Sequence, residues 1–305
     1  MGSSSWSPKD WASYSTATAS KSTADIFNRK GIDGDLNPKG ITVRESRDSS
    51  AHPQSHAIIV ALDVTGSMGM LAETLVRKGV GTLVEEIIAR KPVTDPHLMI
   101  MGVGDAEYDD APLQVTQFQT DILIAKQLEN IYIEHGGGGN NHESYTLPWY
   151  FAAEHTVIDC YEKRKRRGYL FTVGDEELPS KLKAAHVLEF LGDGQRDDMD
   201  TRDLLALVSQ RYEVFHLVVT EGSYARSHLD RVMSSWTAVL GQRVLPLRDH
   251  TKLAEVIVSA IEVNEGRAVD AVAKSWDGDT SVVVRDALTS LTPRATPTTG
   301  VMRFR

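Results

Sequence analysis

Between Ala57 and Leu62 the chain carries no polar residue, and the run then ends in Asp63-Val-Thr-Gly-Ser67. An unbroken apolar stretch of this length, rather than an alternating one, suits a strand whose sheet is covered on both faces, as in parallel α/β proteins. Leu71, Leu75, Val76, Val80, Leu83, Val84, Ile87 and Ile88 follow at helical spacing, and Pro92 marks the end of that helix. Three oxygen-bearing side chains, Asp63, Thr65 and Ser67, therefore sit at the C-terminal lip of a buried strand. That lip is where open α/β sheets bind ligands.

The same grammar repeats along the chain. His97–Gly104 reads as a second buried strand, and Leu113–Phe118 alternates like an edge strand entered by the turn Asp109-Asp-Ala-Pro112. Gly168–Asp175 again ends a strand in a carboxylate, and Glu213–Thr220 and Arg243–Leu247 complete the strand set. Helical patterns separate them: one capped by Asp121, an aromatic one over Ser144–Lys165 with Pro148 in its first turn, then Ser180–Phe190, Asp203–Arg211, Ser227–Leu240 and Leu253–Asn264. Such alternation predicts an α/β fold with a doubly wound, mostly parallel central sheet and helices on both faces. The expected organisation is an extended N-terminal arm over 1–55, an α/β domain over 56–268 and a C-terminal tail over 269–305, flexible from about Asp277. Trp6, Trp11, Tyr14, Ile26 and Phe27 give the arm anchors for docking on the domain or on a partner.

Acidic residues outnumber basic ones, 42 to 33, for a net charge of −9, which argues against a general nucleic-acid binder. The basic run Lys163-Arg-Lys-Arg-Arg167 reads as a solvated helix end. A single cysteine, Cys160, excludes an intrachain disulfide framework and fits a reducing compartment. No apolar run approaches the ~18 residues of a membrane span, and no signal-peptide pattern opens the chain, so the expected location is cytoplasmic, away from membranes.

Asp63, Thr65 and Ser67 offer oxygen and neither nitrogen nor sulfur. Hard cations such as Mg²⁺ take such donors, while an Asp and a Thr ahead of a helix also suit a plain cap, so both readings stay open on these residues alone. Asp63-Val-Thr-Gly-Ser67 resembles the Asp-x-Ser/Thr-x-Ser core of the metal-ion-dependent adhesion site in von Willebrand factor A domains. The loop Gly136-Gly-Gly-Gly-Asn-Asn-His-Glu-Ser144 resembles that family's second metal loop, and Val173-Gly-Asp175 its third. The resemblance covers about 56–267. It implies a Rossmann-like fold, a Mg²⁺ or Mn²⁺ ion held by Asp63, Thr65, Ser67, Asn140 or Glu143, and Asp175, and no catalysis. It also implies that an acidic residue of a partner protein fills the ion's open position. Intracellular members often serve as adaptors for AAA+ ATPases of the MoxR type, which makes such an ATPase the expected partner class. The usual second-loop threonine is absent; Asn140 aligns there, with Glu143 as a further carboxylate.

Two other classes compete. Asp63-Val-Thr-Gly-Ser67 also resembles the phosphorylation loop of haloacid-dehalogenase-like ATPases, with Asp63 as nucleophile and Asp193 and Asp197 of Gly192-Asp-Gly-Gln-Arg-Asp197 on Mg²⁺. Val64 and Arg196 stand where that family has lysine and asparagine, and the glycine loop and Asp175 go unused. The third class is an assembly component whose metal only locks the fold. A phosphate-binding loop is excluded because no Gly-Lys-Ser/Thr follows the glycines. His135, His142 and His155 lack the His-Glu-x-x-His spacing of a zinc site. His216, inside an apolar strand, reads as a hydrogen-bonded core histidine.

Overall fold

The apolar runs become six strands: β1 (His56–Asp63), β2 (Pro96–Val103), β3 (Leu113–Val115), β4 (Gly168–Gly174), β5 (Tyr212–Val219) and β6 (Val244–Leu247). The structure is a computed structural model that describes residues 5–133, 140–194 and 197–293. The strands form one sheet in the order β6-β5-β4-β1-β2-β3, parallel throughout except for the antiparallel edge pair β2 and β3. Every residue of β1, β2, β4 and β5 is buried, which is why their sequences show no polar face. Alternate side chains feed two cores. Ile58, Val60 and Leu62 join Val84, Ile257 and Ile261, whereas Ile59 and Ala61 join Trp149, Phe151 and Trp236 on the other face.

The chain leaves β1 toward β2 on one side and returns to β4 on the other, so the strand order reverses between β1 and β4. That reversal is the topological switch point of a doubly wound sheet, and ligands bind beside it at the carboxyl ends of the strands. Leu62 pairs with Val173, which sets Asp63 level with Gly174 at that point.

Helices form within the described parts of the regions where an arm and a tail were expected. Pro8–Ala19 is a helix capped by Ser7, and Trp11, Ile26, Phe27 and Leu36 enter the core. The Trp11 ring lies over Gly81, where an added Cβ would come within 3.3 Å of it. Arg77 closes the helix by donating to the carbonyls of Thr18 and Lys21 at 2.9 and 2.8 Å. Further along, Arg44–Ser46 pairs in parallel with Thr156–Ile158. That pairing interrupts the helix expected over Ser144–Lys165, leaving Thr146–Glu154 and Asp159–Glu162 on either side of a β-branched stretch. At the other end, Val269–Lys274 and Gly278–Leu288 are helices, and Val284, Ala287, Leu288 and Leu291 bury a stripe at helical spacing, so the flexible tail from Asp277 is corrected. Residues 294–305 lie outside the described residues.

The helix after β5 begins at Ser223, four residues before the expected start, and carries a break at His228 (φ −135°, ψ 29°). Most of the basic run is neutralised by ion pairs: Lys163 with Asp159, Arg164 with Asp48, Arg166 with Glu265 and Arg167 with Glu213. Among the described residues no helix is long and apolar enough to cross a membrane.

Candidate metal centre

Asp63 ends β1 with its carboxylate fully buried. Oδ1 accepts from the Thr65 backbone N–H (2.9 Å) and the Thr65 hydroxyl (2.7 Å), and Oδ2 accepts from the Tyr145 hydroxyl at 3.3 Å. The chain then turns through Gly66–Met68, where Met68 N–H bonds the Thr65 carbonyl. Ser67 lies in that turn, and its side chain lies outside what the structure describes.

Glu143 arrives from the second loop. Its Oε1 stands 3.2 Å from Thr65 Oγ1, and its Oε2 is buried with no hydrogen-bond partner. Ser144 fixes this loop to the end of β2: its N–H donates to the Gly104 carbonyl (3.0 Å) and its Oγ accepts from Ala106 N–H (2.9 Å). Asn140 points elsewhere, donating to Asp105 Oδ2 at 2.6 Å, so Glu143 is the second-loop residue brought to Asp63 and Thr65. The glycines Gly136–Gly139, with His135, lie outside the described residues.

Asp175 follows β4 at the switch point. Its Oδ2 accepts from the backbone N–H groups of Tyr224 (2.8 Å) and Ala225 (3.4 Å), at the start of the helix Ser223–Leu240. A carboxylate is favoured there by the unpaired N–H groups and the helix dipole. The approach is tight, since a Cβ on Gly222 would fall 2.3 Å from Asp175 Oδ2. Asp175 is thus near the site but engaged as a cap.

Three contributors had no distinct signal in the sequence. Tyr145 read as a core aromatic near enough to the loop to border a partner site, yet its hydroxyl links the three segments: it stands two residues after Glu143, touches Asp63 and would meet a Cβ on Gly174 at 1.9 Å. Asp105 holds Asn140 and accepts from Glu107 N–H. Glu176, the middle of three consecutive acids, has a buried Oε2 without a partner.

Burial dominates the electrostatics of these carboxyls. It pushes the carboxyls of Asp63 and Glu143 well above the usual carboxylate range; the bonds from Thr65 partly offset this at Asp63, Asp175 raises Asp63 further, and Asp63 raises Glu143 further. Burial pushes Glu176 up to about 8, reinforced by Asp63, Asp175 and Asp105, and raises Asp175 as well. Several buried carboxylates without a cation among them form an unfavourable arrangement unless a positive charge joins them. The donors are oxygens only, two of those oxygens are stranded, and the cluster sits at the switch point. Asp63, Thr65 and Glu143 therefore fit a hard divalent cation. These carboxylates are spread rather than clenched. Among the described residues, the group of three acid or histidine ligand atoms lying within 4.8 Å of one another is Glu221, Asp249 and His250, after β5 and β6. There Glu221 Oε2 accepts the His250 backbone N–H and bonds its Nδ1, and Asp249 caps Thr251.

The acidic loop of the phosphoryl-transfer reading goes to another place. Asp193 Oδ2 bonds His155 Nε2 (2.7 Å) and the Tyr150 hydroxyl (3.0 Å). His155 follows the far end of the helix Thr146–Glu154, whose nine residues span roughly 14 Å at the usual rise, while Tyr145 at its near end touches Asp63. The fold does not bring Asp63 and Asp193 together. His216 is a core histidine, with Nδ1 on the Thr172 hydroxyl (2.9 Å) and its ring stacked on Trp236.

No family model matches the chain, and no curated protein matches its sequence. Solved structures resemble it at low identity. The pilus adhesin SpaC from Lactobacillus rhamnosus GG, in its open conformation, aligns with a TM-score of 0.44 at 10% identity, over 72% of this chain and 31% of the adhesin. A von Willebrand factor type A structure from Catenulispora acidiphila aligns with a TM-score of 0.37 at 13% identity, over 71% of this chain and 44% of that one. The chain spans less than half the length of either structure. Its own sheet, parallel but for one antiparallel edge, has the doubly wound order that the sequence predicts.

Proposed function

We propose that the chain is a protein-binding module that depends on a divalent cation, Mg²⁺ or Mn²⁺, at the lip of β1. Asp63, Thr65, Ser67 and Glu143 hold the ion in this reading, Asn140 supports the loop through Asp105, and the segment beginning at Asp175 closes the site. The bound ion supplies a coordination position for a carboxylate of a partner protein. The observation that carries the reading is Glu143 Oε2, buried without a partner beside the Asp63–Thr65 pair. A stranded carboxylate oxygen costs about 1–3 kcal/mol or more, and an oxygen-seeking cation removes that cost.

The rest of the site is suited to gripping rather than to chemistry. Thr65 and Tyr145 direct their hydroxyls at Asp63 and hold its carboxylate in one orientation. No residue is assigned a bond-making step. A MoxR-type AAA+ ATPase in the cytoplasm is the partner class proposed, on the strength of the motif resemblance alone. The test is co-purification of bound proteins in Mg²⁺ and in EDTA, with Asp63→Ala checked for folding by circular dichroism. Capture is expected in Mg²⁺ only and from wild type only. Undiminished capture by a folded Asp63→Ala protein in EDTA sinks the proposal.

A further inference from the structure

We propose that Glu176, rather than Asp175, is the carboxylate through which the third segment serves the cation. This rests on the metal-binding reading above and asks which residue of Asp175-Glu-Glu177 meets the ion.

The three acids have different fates. Asp175 is consumed by the helix start: Oδ2 takes the N–H groups of Tyr224 and Ala225, and the carboxyl group is pressed against Gly222. Neither of its oxygens is stranded. Turning it toward an ion would uncap an 18-residue helix. Glu177 is consumed by a staple between segments. Its Oε1 takes the Tyr224 hydroxyl (2.6 Å), Asn141 Nδ2 (2.8 Å) and Arg231 Nη2 (2.9 Å), and its N–H donates to the Asn141 carbonyl (3.1 Å).

Glu176 lies between these two fixed neighbours. Its backbone carbonyl is held by the Trp236 indole N–H at 2.9 Å, so its position along the chain is set. Its Oε2 is buried and has no hydrogen-bond partner among the described residues. Its neighbour Glu177 is bonded to Asn141, two residues before Glu143, so Glu176 lies on the stretch that ties the third segment to the second loop. Glu143 is only 4% exposed and also strands its Oε2. Two stranded oxygens thus come from two segments that the Glu177–Asn141 bond ties together beside Asp63 and Thr65. Among the described residues, the buried side-chain atoms without a partner include two carboxylate oxygens, those of Glu143 and Glu176, and two partnerless carboxylates on adjoining segments call for a cation as their common partner.

The experiment is calorimetric titration of Mg²⁺, and separately Mn²⁺, into the full chain as wild type, Glu176→Gln, Asp175→Asn and Asp63→Ala. Asp175→Asn keeps an oxygen that accepts the two helix N–H groups, so it folds with its cap in place. Glu176→Gln is expected to weaken cation binding tenfold or more, and Asp175→Asn by less than threefold. Thermal melting in EDTA provides a readout without metal: Glu176→Gln is expected to melt no lower than wild type, because it removes a charge that has no partner. Three results overturn the inference: Glu176→Gln binding within threefold of wild type, Asp175→Asn losing as much affinity as Glu176→Gln, or Glu176→Gln melting well below wild type in EDTA. If wild type itself binds neither cation, the metal reading falls and takes the inference with it.

Discussion

Replacing Gly174 with alanine tests how the site is built. Gly174 ends β4 beside Asp63, and its backbone is not in the left-handed region, so the glycine is required by space rather than by conformation. An added Cβ would lie 1.9 Å from the Tyr145 hydroxyl oxygen and 2.8 Å from Cζ. Tyr145 has nowhere to go. It is fully buried, edge-on to His216 and Trp236 at centroid distances of 5.3 and 5.2 Å, and those two rings are themselves stacked at 3.4 Å. Overpacking a tight core costs about 1–3 kcal/mol. Displacing the phenol from Asp63 strands a buried hydroxyl for about 1–3 kcal/mol more. The expected loss for Gly174→Ala is therefore about 2–6 kcal/mol in equilibrium urea unfolding with EDTA present.

Tyr145→Phe alone removes one long hydrogen bond and should cost about 1 kcal/mol. The double variant should cost less than the sum by about 1–2 kcal/mol, because the closest clash disappears while the ring carbon remains too near. Gly174→Ala within about 1 kcal/mol of wild type, or a cycle additive to within about 0.5 kcal/mol, would refute the claim that Tyr145 and Gly174 share one packed position.

His97 is buried, and burial pushes its imidazole down to about 4. Its folded value is depressed, so its contribution is present above about pH 6.5 and is lost as pH falls toward 4; His97→Gln should shrink the stability difference between pH 7 and pH 5 by about 2 kcal/mol in urea titrations, and an unchanged difference contradicts this. Trp11→Ala should destabilise the whole chain by about 3–5 kcal/mol, because the ring is part of the main core; a change under about 1 kcal/mol would mean that the N-terminal helix is dispensable to the domain. Asp193→Ala should leave Mg²⁺ affinity within twofold by calorimetry while lowering the melting temperature, since Asp193 serves His155 and Tyr150; a large loss of affinity would revive the phosphoryl-transfer reading.

The sheet was legible because burial of both faces leaves an unbroken apolar run, and β1, β2, β4 and β5 all carry one. The N-terminal helix was not. Pro8–Ala19 is rich in Ser, Thr and Ala and buries only Trp11 and Thr18, and its closure depends on Arg77, a distant residue whose role no local pattern reveals. The C-terminal stripe Val284, Ala287, Leu288 and Leu291 was present in the sequence but lay against the Thr, Pro and Arg that follow it. Motif order put Asp63, Thr65 and either Asn140 or Glu143 on segments expected to converge, and the fold sets Glu143 beside Thr65. Motif order could not say that Asn140 would turn to Asp105, or that Asp175 would cap a helix, because both outcomes depend on which donors tertiary packing places nearest.

Those donors also decide what sort of site this is. Asp63 is held by Thr65 and Tyr145, the second loop hangs from Gly104 and Ala106 through Ser144, and the third segment is pinned by the helix start and by the Glu177 staple. Each tie is a protein–protein hydrogen bond made by a different element, and both hydrophobic cores lie beneath them complete. Structural metal sites in small domains work the other way, with binding energy supplying the folding energy. Here the fold has already met the ordering cost, and the unmet cost is repulsion among Asp63, Glu143 and Glu176. A cation bound to such a preorganised cluster acts on charge rather than on order. Little of the architecture is left for an ion to build, and this favours the proposed grip for a partner over a metal that only locks the fold.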